Sequence, residues 1–393
     1  ARARLRGVGW SAELCRARSA AAAWRRRRTW VTDDTAAMLA SVAVDVVVDA
    51  TGDVVAGAAH ALAAIGLGKH IVMVNVEADA LVGPALAARA RSAGVVYSLA
   101  YGDQPALIAE QVDWARAAGF EVIAAGKGTK YLPHYHTVTP ETVWQHYGIS
   151  EHDAVAGGMN PKMFNSFLDG SKSAIEMAAV ANACGLTSPQ DGLAFPPCGV
   201  DDLAEVLKPR ADGGQLAQRG QVEVVSSLER DGRAVYRDLR WGVYVTFAAD
   251  TDYVRRCFRE YGLVTDSTGN YASMYKPSHL IGLELGISVA SAALRGEPTG
   301  SPHGWHADVV AVAKRDLNAG ERLDGEGGYC VYGKLQPVTE SLRTHALPIG
   351  LSDGARLTRA VKAGKRIRMR DVKLDASSEA LTLRREMAEG HRK

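Results

Sequence analysis

The spacing of apolar residues predicts alternating strands and helices in the first quarter of the chain. Near-continuous β-branched runs, at residues 44–50 and 69–77, are each followed by a helix-length segment, at residues 54–68 and 78–93. Such runs are typical of parallel strands that are buried on both faces. Their alternation with helices predicts βαβ units, so residues 1–104 should contain a parallel sheet and the fold class is α/β.

The pattern changes twice beyond this region. Strands predicted at residues 121–125, 222–228 and 235–247, with helices between and after them, indicate an α+β domain over residues 105–304. One of those helices is expected from Pro277 to about Leu294. From about Trp305 short strands end in Ala-Gly turns, in two similar units at residues 307–323 and 355–367, which predict a small β domain over residues 305–375. Residues 376–393 should form a charged, frayed helix.

Composition limits the function classes. The net charge of +2 favours neither nucleic acid nor membrane as a partner, and no apolar run reaches the roughly 18 residues of a membrane span. The five cysteines are far apart and lack C-x-x-C spacing, which indicates a reducing compartment and no structural zinc. We therefore expect a cytoplasmic homo-oligomer that acts on a small molecule. Because residue 1 is Ala and the first segment enters mid-pattern, we also expect a fragment of a longer protein.

Small and polar residues follow the predicted parallel strands. Ligands of such sheets bind outside the carboxyl ends of the strands, where small residues let a cofactor approach the backbone. The candidate cofactor-binding residues at these ends are Thr51, Gly52, Asn75, Glu77 and Tyr101.

These strand ends resemble the nicotinamide-binding domain of homoserine dehydrogenases. The matching residues are Asp49 to Gly52, His60, Gly68 to Val72, Asn75 and Glu77. The resemblance implies a Rossmann-type fold that binds NADP or NAD. The G-x-G-x-x-G turn of that family, which holds the pyrophosphate, does not occur in this chain. Either about 40 residues of a βαβ start are missing or the cofactor site is defective.

The stretch from Val122 to Gly185 mixes lysines, histidines and aromatic residues among glycines. Burying so many ionisable groups is costly unless they are paired, and this mixture is typical of a pocket lining. The candidate catalytic residues are Lys127, Lys130, His134, Lys162, Asn165, Lys172 and Glu176. Lys127 is expected on a glycine-flanked turn after a strand, as the acid or oxyanion stabiliser. Lys162 and Asn165 would bind an anion or a hydroxyl group, and Lys172 and Glu176 stand at i, i+4 on a helix.

Residues 100–105, 126–131 and 160–170 resemble the deoxyxylulose phosphate reductoisomerase-like oxidoreductases. The resemblance implies NADPH-linked reduction of a small phosphorylated or polyhydroxy carbonyl compound, in isoprenoid precursor or sugar metabolism. The two units after residue 305 resemble the SAF domain, a β-clip fold. Glu176, Asp103 and Asp169 are candidates for a divalent metal, as acidic residues are in true reductoisomerases, but their spacing leaves the metal open. The alternatives are homoserine dehydrogenase itself and a non-catalytic sugar-binding or regulatory module.

Overall fold

The computed structural model describes residues 1–391. The helices are α1 (Arg2–Gly7), α2 (Ala20–Arg26), α3 (Thr35–Leu39), α4 (Val54–Gly66), α5 (Val76–Ser92), α6 (Gln104–Ala117), α7 (Val143–Tyr147), α8 (Glu151–Ala156), α9 (Pro161–Leu168), α10 (Ser171–Cys184), α11 (Leu203–Val206), α12 (Asp252–Glu260), α13 (Gly286–Ala290), α14 (Val338–Thr344) and α15 (Glu379–His391). The strands are β1 (Val46–Asp49), β2 (His70–Met73), β3 (Tyr97–Leu99), β4 (Glu121–Thr129), β5 (Gln221–Ser226), β6 (Val243–Ala248), β7 (Tyr271–Lys276), β8 (Ala307–Ala313), β9 (Val331–Pro337), β10 (Arg356–Leu357) and β11 (Val372–Lys373). Among these residues no helix is long and apolar enough to cross a membrane.

The first sheet is parallel, with strand order β1-β2-β3. Two helix starts follow its strand ends directly. Asp53 caps α4 by accepting a hydrogen bond of 2.7 Å from the amide of Ala56, and Asn75 caps α5 by accepting one of 3.1 Å from Ala78. The parallel sheet predicted for the start of the chain is confirmed, and so is the α/β fold class.

The second sheet is mixed, with strand order β5-β4-β6-β7, in which β4 is parallel to β5 and antiparallel to β6. The expected turn at Gly126-Lys127-Gly128 is wrong, because these residues lie inside β4. Their glycines serve close packing instead. A Cβ atom on Gly126 would lie 1.8 Å from the Glu223 carbonyl oxygen, and one on Gly128 would lie 1.9 Å from that of Leu239.

Helix α10 lies at the centre of the molecule. Every residue of α10 except Lys172 is buried, and the helix contacts α5, α6, β8 and β9. The many small residues of α10 (Ala, Ser and Cys) let these elements approach the helix closely. At the carboxyl end of α10, Asn182 Oδ1 accepts hydrogen bonds from the amides of His306 (2.8 Å) and Ala307 (3.1 Å). The helix therefore joins the parallel sheet, the mixed sheet and the C-terminal strands.

The C-terminal part contains two antiparallel strand pairs, β8 with β9 and β10 with β11. The turns at Gly320 (φ +84°) and Gly364 (φ +72°) each place a glycine in the left-handed region. Leu317 and Val361, which precede these two turns, are joined by an isolated antiparallel bridge. The helix expected from Pro277 to Leu294 forms only in its second half, where α13 (Gly286–Ala290) continues into a π-helical turn at Ser291–Arg295, and residues 277–285 are turns and irregular backbone instead. The helix expected at the end of the chain is present as α15, but it is docked rather than frayed over Glu379–His391, because its apolar face packs on α4 and α5.

Candidate active site

The end of β1 is organised around the buried carboxylate of Asp49. Its Oδ1 accepts hydrogen bonds from the Thr51 hydroxyl (2.8 Å) and from Asn75 Nδ2 (3.0 Å), and its Oδ2 lies 2.6 Å from His60 Nδ1. Burial alone would raise the pKa of Asp49, but these hydrogen bonds lower it below its ordinary value. A buried carboxylate therefore ties the β1 end to α4 and to the start of α5.

This network changes the expected roles of two residues. Asn75 Nδ2 also donates to the Asp53 carbonyl oxygen at 2.8 Å, so the N–H groups of this side chain join the segments that follow β1 and β2. The Thr51 hydroxyl is likewise committed to Asp49. Both side chains therefore position the strand ends, and their contact with a cofactor stays a prediction. Gly52, by contrast, is exposed with φ +67°, and a Cβ atom there would meet no atom within 4 Å. The backbone at Gly52 is thus open to a ligand.

A charged cluster lies beside the ends of β2 and β3. Its six members are Glu77, Asp103, Lys127, Lys172, Glu176 and Glu326. Two ion pairs form its frame. The ammonium group of Lys172 pairs with Glu77 where both side chains remain partly accessible, with 17% and 15% of their area exposed. Lys127 pairs with Glu176 more deeply, and both side chains are buried. The cluster thus contains one partly accessible ion pair, Lys172–Glu77, and one buried ion pair, Lys127–Glu176.

The electrostatics of the cluster divide its members into stable ions and groups that titrate near neutrality. Burial lowers the pKa of Lys172, but the carboxylates of Glu77 and Glu326 outweigh it and raise the pKa above its ordinary value. Burial and the nearby Glu176 raise the pKa of Asp103 to about 7. Burial and Glu77 raise the pKa of Glu326 to about 8. At neutral pH the cluster therefore holds a permanent ammonium beside carboxyl groups that carry protons.

Glu326 is delivered by a glycine-rich loop, residues 324–328, from the C-terminal part. Asn165 Nδ2 donates to the Gly327 carbonyl oxygen at 2.8 Å, and Lys314 Nζ donates to that of Gly328 at 2.8 Å. Gly327 has φ +66°, and a Cβ atom there would lie 2.1 Å from the Lys162 carbonyl oxygen. The loop is thus held against α9 at a position where only glycine fits.

The other candidate catalytic residues lie outside the cluster. Lys130 Nζ donates to the carbonyl oxygen of His146, and the His134 ring lies 5.8 Å from the His146 ring, in a separate group near the surface. Lys162 is half-exposed and 3.8 Å from Asp353, and Asn165 is fully buried as a support of the 324–328 loop. The anion or hydroxyl role expected for Asn165 is therefore corrected to a structural one.

Tyr101, a candidate cofactor residue, directs its hydroxyl away to Glu110, at 2.7 Å. The cluster itself includes two acids that were not proposed as catalytic residues, Asp103 and Glu326. Asp103 was considered only as a metal ligand, by resemblance to the reductoisomerases, although its place shortly after the end of β3 is a signal for the site. Glu326 has a local signal in the run Asp-Gly-Glu-Gly-Gly, an acid between glycines, but its partners are distant along the chain. Within residues 1–391 no three His, Cys, Asp or Glu side chains are arranged to hold a metal.

Two family models match consecutive parts of the chain. The homoserine dehydrogenase NAD-binding domain matches residues 2–99, and the catalytic domain of oxidoreductase DRL matches residues 102–285. The chain joins an NAD-binding domain to an oxidoreductase catalytic domain. The expected oxidoreductase class and nicotinamide cofactor are confirmed at this level. Reductoisomerase activity, the SAF-like domain and the choice between NAD and NADP stay predictions.

Comparison with solved structures gives weaker similarity. An oxidoreductase from Bacillus cereus is 12% identical with a TM-score of 0.31, and the match covers 72% of this chain and 81% of that one. A levoglucosan dehydrogenase in complex with NADH and levoglucosan is 13% identical with a TM-score of 0.24, covering 67% of this chain and 55% of that one. No curated protein matches the chain.

Proposed function

We propose that the protein is an NAD(P)H-dependent, reductoisomerase-like oxidoreductase that reduces the carbonyl group of a small phosphorylated or polyhydroxy compound. The observation that supports this most is the charged cluster beside the ends of β2 and β3. It combines the partly accessible ammonium of Lys172 with the protonated carboxyl group of Glu326. Carbonyl reduction needs both groups, because charge develops on the oxygen and a proton must then reach it.

A bound nicotinamide would supply the hydride to the carbonyl carbon. Lys172 keeps its proton at neutral pH, because neighbouring carboxylates raise its pKa, and so it stabilises the developing oxyanion as a fixed cation. A group with so high a pKa is a poor proton donor near pH 7. Glu326, with a pKa of about 8, is mostly protonated there and donates its proton to the alkoxide oxygen. Being partly accessible, it then takes a new proton from solvent.

The remaining members of the cluster position these two groups. Glu77 holds the Lys172 ammonium, and the buried Lys127–Glu176 pair lies beneath it on β4 and α10. Lys127, the residue that the sequence favoured for catalysis, therefore supports the site in this proposal and Lys172 stabilises the oxyanion. Asp103, with a pKa of about 7, is buried and serves as a proton reservoir beside Glu176.

The ends of the parallel strands fit a nicotinamide cofactor. The exposed, side-chain-free backbone at Gly52 leaves room for a ligand to approach, and the charged cluster lies at the ends of the neighbouring strands. No residue is assigned to the pyrophosphate. We extend the proposal to residues 305–375 as a SAF-like β-clip, which the antiparallel bridge between Leu317 and Val361, each just before a glycine turn, supports.

Cofactor binding and turnover test the proposal separately. Titration of the 393-residue chain with NADH and NADPH, followed by nicotinamide fluorescence, should give weak but saturable binding, because the chain lacks the G-x-G-x-x-G turn. Oxidation of the bound cofactor should then require a phosphorylated ketose or another polyhydroxy carbonyl compound from a panel. Lys172→Met should lower turnover by about 10²–10³ and leave cofactor affinity nearly unchanged. Absence of saturable binding of both cofactors, or full turnover in Lys172→Met, would overturn the proposal.

A further inference from the structure

A second cleft lies where helix α10 leaves the centre of the molecule. Its volume is about 400 Å³, which falls within the range of small-molecule sites. The segment after α10, the first residue of β5 and the linker before β8 contribute to its wall, together with the start of α14. Helix α10 has 14 residues and is therefore about 20 Å long, so the cleft is far from Lys172 at the other end.

Three residues that line this cleft each carry a buried polar atom that lacks a hydrogen-bond partner within residues 1–391. These atoms are Ser188 Oγ, Gln221 Oε1 and Trp305 Nε1. The three residues are only 2%, 2% and 9% exposed, respectively. Leaving a buried polar group without a partner is unfavourable, and such groups are uncommon in folded proteins. Three of them around one cleft indicate that the wall is built to bind something polar.

The wall is held in place by backbone hydrogen bonds. The Val222 amide donates to the Thr187 carbonyl oxygen at 2.9 Å, and the Thr187 amide donates to that of Gly220 at 2.8 Å, so the segment after α10 is fixed to β5. The linker that carries Trp305 is fixed by the hydrogen bond from the His306 amide to Asn182. The segments that carry the three residues are therefore held in place before any ligand binds.

The charge of the cleft selects against ions. No Asp, Glu, Lys or Arg side chain lines it among the described residues. Burial and the neighbouring His391 lower the pKa of His306, so this imidazole is neutral at pH 7. The nearby guanidinium of Arg384 stacks on the Trp305 ring at 4.3 Å and is already paired with Asp308. Among the described residues of the wall, a charged ligand would find no Asp, Glu, Lys or Arg side chain as a counter-charge to offset its lost hydration.

We propose that this cleft is a second binding site, for a small neutral polyhydroxyl compound such as a polyol or a monosaccharide. The Trp305 indole N–H can only donate, the Gln221 oxygen accepts, and the Ser188 hydroxyl does either. A hydroxyl group both donates and accepts, so neighbouring hydroxyls of one ligand satisfy all three atoms once the three side chains turn toward the cleft. The site is separate from the nicotinamide site and uses different residues.

The indole signals of the protein provide a local test. The chain contains seven tryptophans, so a sample labelled with ¹⁵N-tryptophan gives seven indole N–H cross-peaks, and Trp305→Phe assigns one of them. Titration with xylitol or D-glucose should shift the Trp305 peak saturably. Sodium phosphate at the same concentrations should not shift it.

Two variants remove partners from the wall without adding charge. Ser188→Ala and Gln221→Leu should each weaken the xylitol titration about tenfold, which is the loss of one hydrogen bond. Gln111→Leu is the matched control, because its buried Oε1 also lacks a partner but lies on α6. Absence of a saturable shift with both neutral probes, an equal shift with phosphate, or unchanged titrations in both variants would overturn the proposal. If Gln221→Leu fails to fold, Ser188→Ala decides alone.

Discussion

Asn165 Nδ2 donates a hydrogen bond of 2.8 Å to the carbonyl oxygen of Gly327, 162 residues further along the chain. The same amide nitrogen donates to the Val138 carbonyl oxygen at 3.0 Å. Asn165 thus joins α9 and the segment before α7 to the loop that carries Glu326. This relationship explains how a C-terminal β unit contributes a titrating acid to a cluster at the edge of the NAD-binding sheet.

Replacing Glu326 tests the proton donor. Glu326→Gln keeps the size of the side chain but cannot donate a proton to the alkoxide, so turnover should fall by about 10²-fold or more. The KM for substrate should change little, because the amide still occupies the same place. Steady-state cofactor oxidation measures both. Glu321→Gln, which weakens a partly exposed ion pair with Arg315 outside the cluster, is the control and should retain turnover. Equal losses in the two variants would contradict the assignment.

The pH dependence follows from the same group. The pKa of Glu326 is raised to about 8 from its ordinary 4.5. Between these two pH values the folded protein therefore keeps a proton on Glu326 that the unfolded chain has released. Carbonyl reduction should therefore slow above about pH 8, and Glu326→Gln should lose that dependence. Since folding takes up this proton, stability should also fall as pH rises from about 4.5 to 8. Urea unfolding at several pH values checks the second effect, and a steeper slope in Glu326→Gln would contradict it.

Structural elements that are determined by residues close together in the chain could be predicted from the sequence. The parallel strands and the i, i+4 relation of Lys172 and Glu176 follow from residues close together in the chain. The cluster could not be assembled in this way, because Lys172 meets Glu77 across 95 residues. The glycines around Lys127 were misinterpreted for a similar reason. They suggested a turn, but the atoms that need the space belong to Glu223 and Leu239 on other segments.

The Gly327 position should tolerate no side chain. Gly327→Ala places a Cβ atom 2.1 Å from the Lys162 carbonyl oxygen in a left-handed conformation, so the 324–328 loop must move. We expect a loss of turnover together with about 1–3 kcal/mol of stability. Gly364→Ala is the matched control, with φ +72° but no atom within 4 Å of its Cβ, and should cost only the conformational strain. Thermal unfolding and kinetics of both variants distinguish steric displacement from strain, and equal effects would argue against a loop displacement.

The Lys127–Glu176 pair should behave as a structural ion pair. Lys127→Met leaves the buried carboxylate of Glu176 without its cation, which should cost about 3–5 kcal/mol of unfolding free energy. Replacing both residues in Lys127→Met/Glu176→Leu removes the stranded charge and should recover much of that loss. Urea denaturation of the two variants measures the difference. If Lys127→Met keeps full stability and loses only turnover, Lys127 is a catalytic group after all.

The docking of helix α15 depends on one buried cation. The Arg384 guanidinium pairs with the carboxylate of Asp308 on β8, and it also donates to the Leu81 carbonyl oxygen of α5 at 3.2 Å. Arg384→Met should leave Asp308 buried and unpaired, at a cost of about 3–5 kcal/mol, and should release the helix from α4 and α5. Arg385→Met is the control, because the Arg385 side chain is next to Arg384 in the chain but is exposed. It should change stability by less than about 0.5 kcal/mol. Hydrogen exchange of the α15 amides distinguishes local release from global unfolding. Protection of α15 in Arg384→Met equal to that in the parent would show that the apolar face alone holds the helix.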